Sequence, residues 1–203
     1  MLSFTLMRNF FSAYLQLGFE HIADLGGYDH ILFIIALCAV YRPGQWKRVA
    51  LLVTAFTVGH SLTLAMAALD IIPINAPLIE FLIPVTILLT ALNNVFSENK
   101  GPEVLGLRLN YFLALFFGLI HGMGFSNFFR ATVLPGEESQ FLAQLLAFNL
   151  GVELGQLAIV AVIMLVALVG LRGFRLRQHD WNLFISGGAA GLSLVMALER
   201  LPF

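Results

Sequence analysis

In a chain of 203 residues with only five histidines and twelve carboxylates, the placement of these groups is the first thing to read. Asp29 and His30 stand at the head of "YDHILFIIAL", and His21 lies just upstream in "GFEHIADLGG". His60 sits in "TAFTVGHSLTLA", His121 in "FGLIHGMGFS" and Glu153 in "FNLGVELGQ". Imidazole nitrogens joined by a few carboxylate oxygens, with no lysine or arginine interleaved, form the donor set of a divalent transition metal such as Ni²⁺ or Zn²⁺. The expected ligands are therefore Asp29, His30, His60, His121 and Glu153, with His21 either a further ligand or an interfacial histidine that water hydrates. One buried histidine would carry no such meaning. Several ionisable groups inside apolar runs do, because hydrocarbon charges roughly 2.5–3.5 kcal/mol for each unpaired charge.

Polar neighbours share faces with these residues. Thr57 and Ser61 flank His60, and Asn149, Glu153 and Gln156 stand at i, i+4 and i+7 on one helical stripe. Such groups are expected to orient ligating rings through hydrogen bonds, with Thr57 and Ser61 the expected partners of His60. Gly118, Gly122 and Gly124 leave room beside His121. Glu20, Asp24 and Glu80 read as surface carboxylates or a rim that attracts cations. His179 falls in a basic loop, and Glu199 near the end of the last apolar run reads as interfacial.

The elements that must position these groups follow from composition. The chain is 59% hydrophobic and 11% charged, far from the roughly 25% charge of a soluble domain, so an integral membrane protein is expected. Net charge of −1 gives no reason to expect nucleic acid, and the lone Cys38, which can form no internal disulfide, reads as a buried free thiol. The apolar runs predict an all-α, polytopic membrane protein forming a single domain over residues 1–203. Six spans are expected, over roughly 28–41, 49–69, 78–96, 109–129, 141–171 and 181–201, after an amphipathic interfacial helix within 1–24. The fifth is too long to lie straight and is expected to tilt or protrude.

The loops after the first, third and fifth spans carry Arg42, Lys47, Arg48, Lys100, Arg108, Arg172, Arg175 and Arg177, against Arg8, Arg130 and Arg200 on the other side. This bias predicts both termini outside the cytoplasm. The pairs Gly118-Gly122, Gly151-Gly155 and Gly187-Gly191 have the spacing that lets helix backbones approach. The expected partners are the lipid bilayer and a metal ion, with a homo-oligomer or accessory subunits left open.

His21 and His30 are nine residues apart, so in one unbroken helix they would point about half a rotation away from each other. Gly26-Gly27 between them predicts a break that re-aims one half. Interrupted helices lining a cavity are a recurrent device for ion sites in membranes.

The four stretches "GFEHIADLGGYDHILFIIAL", "TAFTVGHSLTLA", "FGLIHGMGFS" and "FNLGVELGQ", in this order over residues 18 to 156, resemble the HupE/UreJ family of bacterial membrane proteins. The resemblance implies a nickel permease or an accessory protein of hydrogenase and urease, with His21, Asp29, His30, His60, His121 and Glu153 implicated. Three functions remain open at this point. In a permease, outer carboxylates would attract Ni²⁺ or a similar ion and the histidine cluster would bind it. In a zinc-dependent intramembrane hydrolase, Asp29 or Glu153 would act as general base and Ser61 would orient water or substrate. That arrangement is loosely similar to alkaline-ceramidase-type membrane hydrolases. In a sensor or scaffold subunit, the ion would be structural. The inner halves of the spans offer few polar residues, chiefly Thr54, Asn93 and Asn94, which weighs against an open path.

Overall fold

The computed structural model describes residues 2–96, 104–132 and 140–202, and of residues 2–9 and 104–109 the backbone alone. All regular structure there is helical: α1 Leu2–Ala23, α2 Asp29–Cys38, α3 Trp46–Ala68, α4 Ala76–Phe96, α5 Val104–Thr132, α6 Phe141–Leu168 and α7 Gln178–Glu199. Five segments are long and apolar enough to cross a membrane: 43–68, 76–96, 110–132, 141–173 and 178–199. A helix satisfies its own backbone polar groups, which hydrocarbon demands of any crossing segment that is not a closed barrel. The long fifth run continues past α6 as a π-helical turn over Val169–Gly173. Arg8, Lys100 and Arg108, counted in the charge bias, lie outside the residues whose side chains are described.

The head of the chain departs from expectation. The first span, expected over 28–41, is the ten-residue α2, about 15 Å long and half the hydrocarbon thickness. It stops short of Pro43, whose ring bars the preceding residues from continuing a helix. The segment expected to lie on the membrane surface is α1, and its stripe Tyr14, Gly18 and Ile22 is buried. Gly18 rests on the Phe148 backbone and Ile22 faces Gly155, so α6 covers the face that lipid was expected to cover. The Tyr14 hydroxyl donates to the Thr132 carbonyl at 2.8 Å, fastening α1 to the end of α5 as well.

Directions can be read from these contacts. Leu15 lies against Gly151 and Ile22 against Gly155, so α1 and α6 run parallel. Phe56 lies against Gly118 and His60 against Gly122, so α3 and α5 run parallel. Pairs His30–His121 and Phe33–Phe117, with Tyr41 just past α2 bonded to Asn110, make α2 antiparallel to α5. His60–Asn149 and Thr57–Gln156 make α3 antiparallel to α6. Hence α1 and α2 point the same way, as two lengths of one rod interrupted at Asp24–Tyr28.

Buried amides hold α2 in place. Asn94 donates to the Ala36 carbonyl at 2.7 Å and to the Ser186 hydroxyl at 3.3 Å. Ser186 donates to Asn182, and Asn182 donates back to the Asn94 carbonyl. This closed ring ties α2, α4 and α7 together where lipid offers no water to compete. Cys38 is a buried free thiol.

Candidate metal site

The glycine pair does what its position predicts. Asp24 accepts a hydrogen bond from the Gly26 backbone at 2.8 Å, the chain turns, and α2 begins at Asp29. His21 at the end of α1 and His30 at the start of α2 then meet with ring centroids 4.7 Å apart. A straight helix would separate them by about 13 Å along its axis.

His60 enters from α3. One nitrogen from each of His21, His30 and His60 lies within 4.8 Å of the other two. His121 on α5 borders this triad, its ring 5.0 Å from that of His30. His30, His60 and His121 are buried, and His21 is half-buried.

The hydrogen bonds on the far side of three rings are informative. His30 Nδ1 lies 3.0 Å from Asp29 Oδ1, His60 Nδ1 lies 3.3 Å from Asn149 Oδ1, and His121 Nδ1 lies 2.8 Å from the Phe117 carbonyl. The Asn149 amide donates to the Leu145 carbonyl, which leaves its oxygen to accept from His60. All three partners are acceptors, so each Nδ1 carries a hydrogen, and in the neutral ring this leaves the Nε2 lone pair free to bind. The Nε2 atoms of His21, His30, His60 and His121 are buried without a hydrogen-bond partner. A buried polar atom normally finds a partner, so these four atoms, three of them on the rings that converge, fit a bound cation. Neutral imidazoles fixed by Nδ1–H bonds to carboxylate or carbonyl oxygens suit a divalent ion, with metal–nitrogen bonds of about 2 Å reachable by small ring movements.

The remaining expected residues fall into two groups. Asp29 stands behind His30, accepting from the His30 backbone at 2.9 Å as well as from its ring. Its second oxygen lies 3.3 Å from Arg200 Nη1. The sequence reading gave the carboxylates no cationic partner, and here it is corrected: Arg200, at the end of α7, reaches inward along its flexible stem. Glu153 is not beside the histidines. It accepts from Thr54 at 2.7 Å, while Gln156 accepts from Thr57 at 2.8 Å, so these pairs line the α3–α6 interface beyond His60. Ser61 donates to the Thr57 carbonyl of its own helix at 2.7 Å, and Asn149 rather than Ser61 or Thr57 serves His60. Glu20, Asp24, Glu80 and Glu199 are exposed.

Aromatic rings enclose the imidazoles, and sequence reasoning missed them. Phe125 lies 3.8 Å from His21 by ring centroids, and Phe148 stacks on Phe125 at 5.0 Å. Phe56 packs on His121 and His60, and Phe33 packs on Phe56 and Phe117. The signal was spacing: Phe56 precedes His60 by four residues, and Phe117 and Phe125 flank His121 by four on either side. Beyond Phe33 and Phe117 a second cleft opens, lined by Tyr41, Thr90, Asn93, Asn94 and Asn110.

This order of elements extends over nearly the whole chain, for residues 3–198 match the family described as HupE / UreJ protein. The chain belongs to the HupE/UreJ family. No curated protein and no solved structure matches it. All four pocket histidines fall inside the stretch that defines this HupE/UreJ protein, whereas Arg200 lies two residues past its end.

Proposed function

We propose that this HupE/UreJ protein binds a divalent transition metal, Ni²⁺ or a similar ion, at His21, His30 and His60 with His121 alongside, and carries it across the bacterial inner membrane. The observation that carries this reading is the convergence of His21, His30 and His60, one ring nitrogen of each within 4.8 Å of the other two, with the Nε2 atoms of these three and of neighbouring His121 buried and unpartnered. Family membership supports nickel as the first candidate substrate. Both termini lie outside the cytoplasm, α1 and α2 together make a sixth, interrupted crossing, and the pocket faces outward. Exposed Glu20 and Asp24 near the break would draw cations toward it. Beyond Phe33 and Phe117 the cleft is mostly apolar, with Tyr41, Thr90, Asn93, Asn94 and Asn110 as its polar members, so an inward path would have to open by movement of these helices.

The hydrolase reading is less well supported. It needs a free carboxylate as base and a hydroxyl turned to the ion, but Asp29 is shared by His30 and Arg200, Glu153 holds Thr54, and Ser61 bonds its own helix.

Elemental analysis of protein purified in detergent, after dialysis against equal Ni²⁺ and Zn²⁺, tests the site. Wild type should retain about one ion per chain, and His30→Ala, His60→Ala and His121→Ala should each lose most of it. Cells expressing wild type should accumulate nickel above a vector control, and the variants should not. Full metal occupancy in all three variants would overturn the shared site, and occupancy without accumulation would overturn transport.

A further inference from the structure

Among the described residues, Asp29 is the one carboxylate paired with a histidine of the cluster, and it is occupied on both sides. Oδ1 takes the backbone N–H and the ring of His30, and Oδ2 faces the Arg200 guanidinium. The aspartate side chain is 11% exposed and the arginine side chain 32%, so the carboxylate end of the pair is the sheltered one. Arginine stays charged at any accessible pH, so the attraction is not lost by titration of the arginine. We infer that Arg200 sets the metal preference of the site: by holding Asp29 it keeps a carboxylate oxygen out of the pocket and leaves a nitrogen-only donor set. This rests on the metal-binding reading above.

The consequence follows from donor chemistry. Imidazole favours late first-row ions such as Ni²⁺ and Zn²⁺, whereas carboxylate oxygen suits Mn²⁺ and Mg²⁺. An aspartate released from Arg200 would regain a full negative charge one bond away from His30 and could turn an oxygen into the pocket. Harder ions would gain most. If Arg200 serves only to anchor the end of α7, its loss would weaken all ions alike.

The experiment is equilibrium dialysis of the full-length protein in detergent against Ni²⁺ and Mn²⁺ separately, comparing the ratio of their dissociation constants. Losing one charge-assisted contact should narrow that ratio about tenfold in Arg200→Gln, chiefly by tighter Mn²⁺ binding. Arg200→Lys keeps the charge and should keep the ratio. Adding Asp29→Asn to Arg200→Gln should abolish the gain in Mn²⁺ binding. Asp29→Asn alone, which does not depend on the arginine variant folding, should weaken Ni²⁺ binding through the acceptor it takes from His30 and should not move the ratio toward Ni²⁺, since the carboxylate is already withheld. An unchanged ratio in folded Arg200→Gln, or a ratio that moves toward Ni²⁺ in Asp29→Asn alone, would overturn the inference while leaving the histidine site intact. Absence of Ni²⁺ binding by wild type would instead overturn the reading on which it rests.

Discussion

At Gly118 a methyl group would stand 2.1 Å from the Phe56 carbonyl oxygen; at Gly188 it would meet nothing within 4 Å. The same contrast holds for their neighbours. Gly18 and Gly151 seat α1 on α6, and Gly59, Gly118 and Gly122 seat α3 on α5, each with main-chain atoms closer than a side chain would permit. Gly187, Gly188 and Gly191 on α7 face open space, because α7 turns Asn182 and Ser186 toward α4 instead. Small-residue spacing is therefore the same in both regions and its use is not. Where it is used, three of the four helices it joins carry a histidine of the site, His21, His60 and His121: Gly122 lies against the His60 carbonyl, and Gly18 lies one turn before His21. Close approach fixes the distance between these rings; α7 carries no histidine of the site.

The comparison breaks most readily at the seams. Gly118→Ala and Gly151→Ala place a methyl against backbone that cannot rotate away, and overpacking of this kind costs about 1–3 kcal/mol. Thermal unfolding in detergent should show both variants clearly destabilised, with metal retention reduced in parallel. Unchanged melting would mean the seams are slack. Next comes the bond that crosses the α3–α6 interface to the pocket. Asn149→Leu removes the acceptor of the His60 Nδ1–H, and loss of such a partner typically costs about 10–100-fold in metal affinity. Titration with Ni²⁺ should show this with little change in melting temperature. Gly188→Ala should be silent or slightly stabilising, because alanine is favoured over glycine in a helix by up to about 1 kcal/mol. A large loss there would show that α7 is covered in the membrane. The smallest effect is expected at the loop after α3, where the exposed Asp70 pairs with Arg130 in the last turn of α5, which holds its carboxyl below the ordinary value of 3.8. A depressed value means the contribution is present above about pH 4 and fades as pH falls through the lowered value. Asp70→Asn should therefore change melting little at neutral pH and not at all in strong acid.

How far the sequence could be read depends on the range of the physics involved. Spans α3, α4, α5 and α7 came out within a few residues because burial in hydrocarbon is decided run by run. The break at Gly26-Gly27 was legible because helix rotation alone makes His21 and His30 incompatible with one straight rod. The partner of His60 was not legible. Thr57 and Ser61 share its helix, but helical hydroxyls bond readily to the carbonyl four residues back, as Ser61 does. Asn149 reaches the ring only across an interface. Arg200 meets Asp29 across 171 residues of chain, and no local pattern announces such a contact. Glu153 had the right helix face but the wrong tier, since Thr54 draws it away from the rings. The surface assignment of α1 failed for a related reason: its stripe was apolar enough for lipid, and only Gly18 marked that a helix would take lipid's place.

The interruption between α1 and α2 has a mechanical side. His21 belongs to α1, which is seated on α6, while His30 belongs to α2, which the Asn94 clasp ties to α4 and α7. An ion held by both histidines would thus act as a rivet across the interruption, joining the two lengths of one rod.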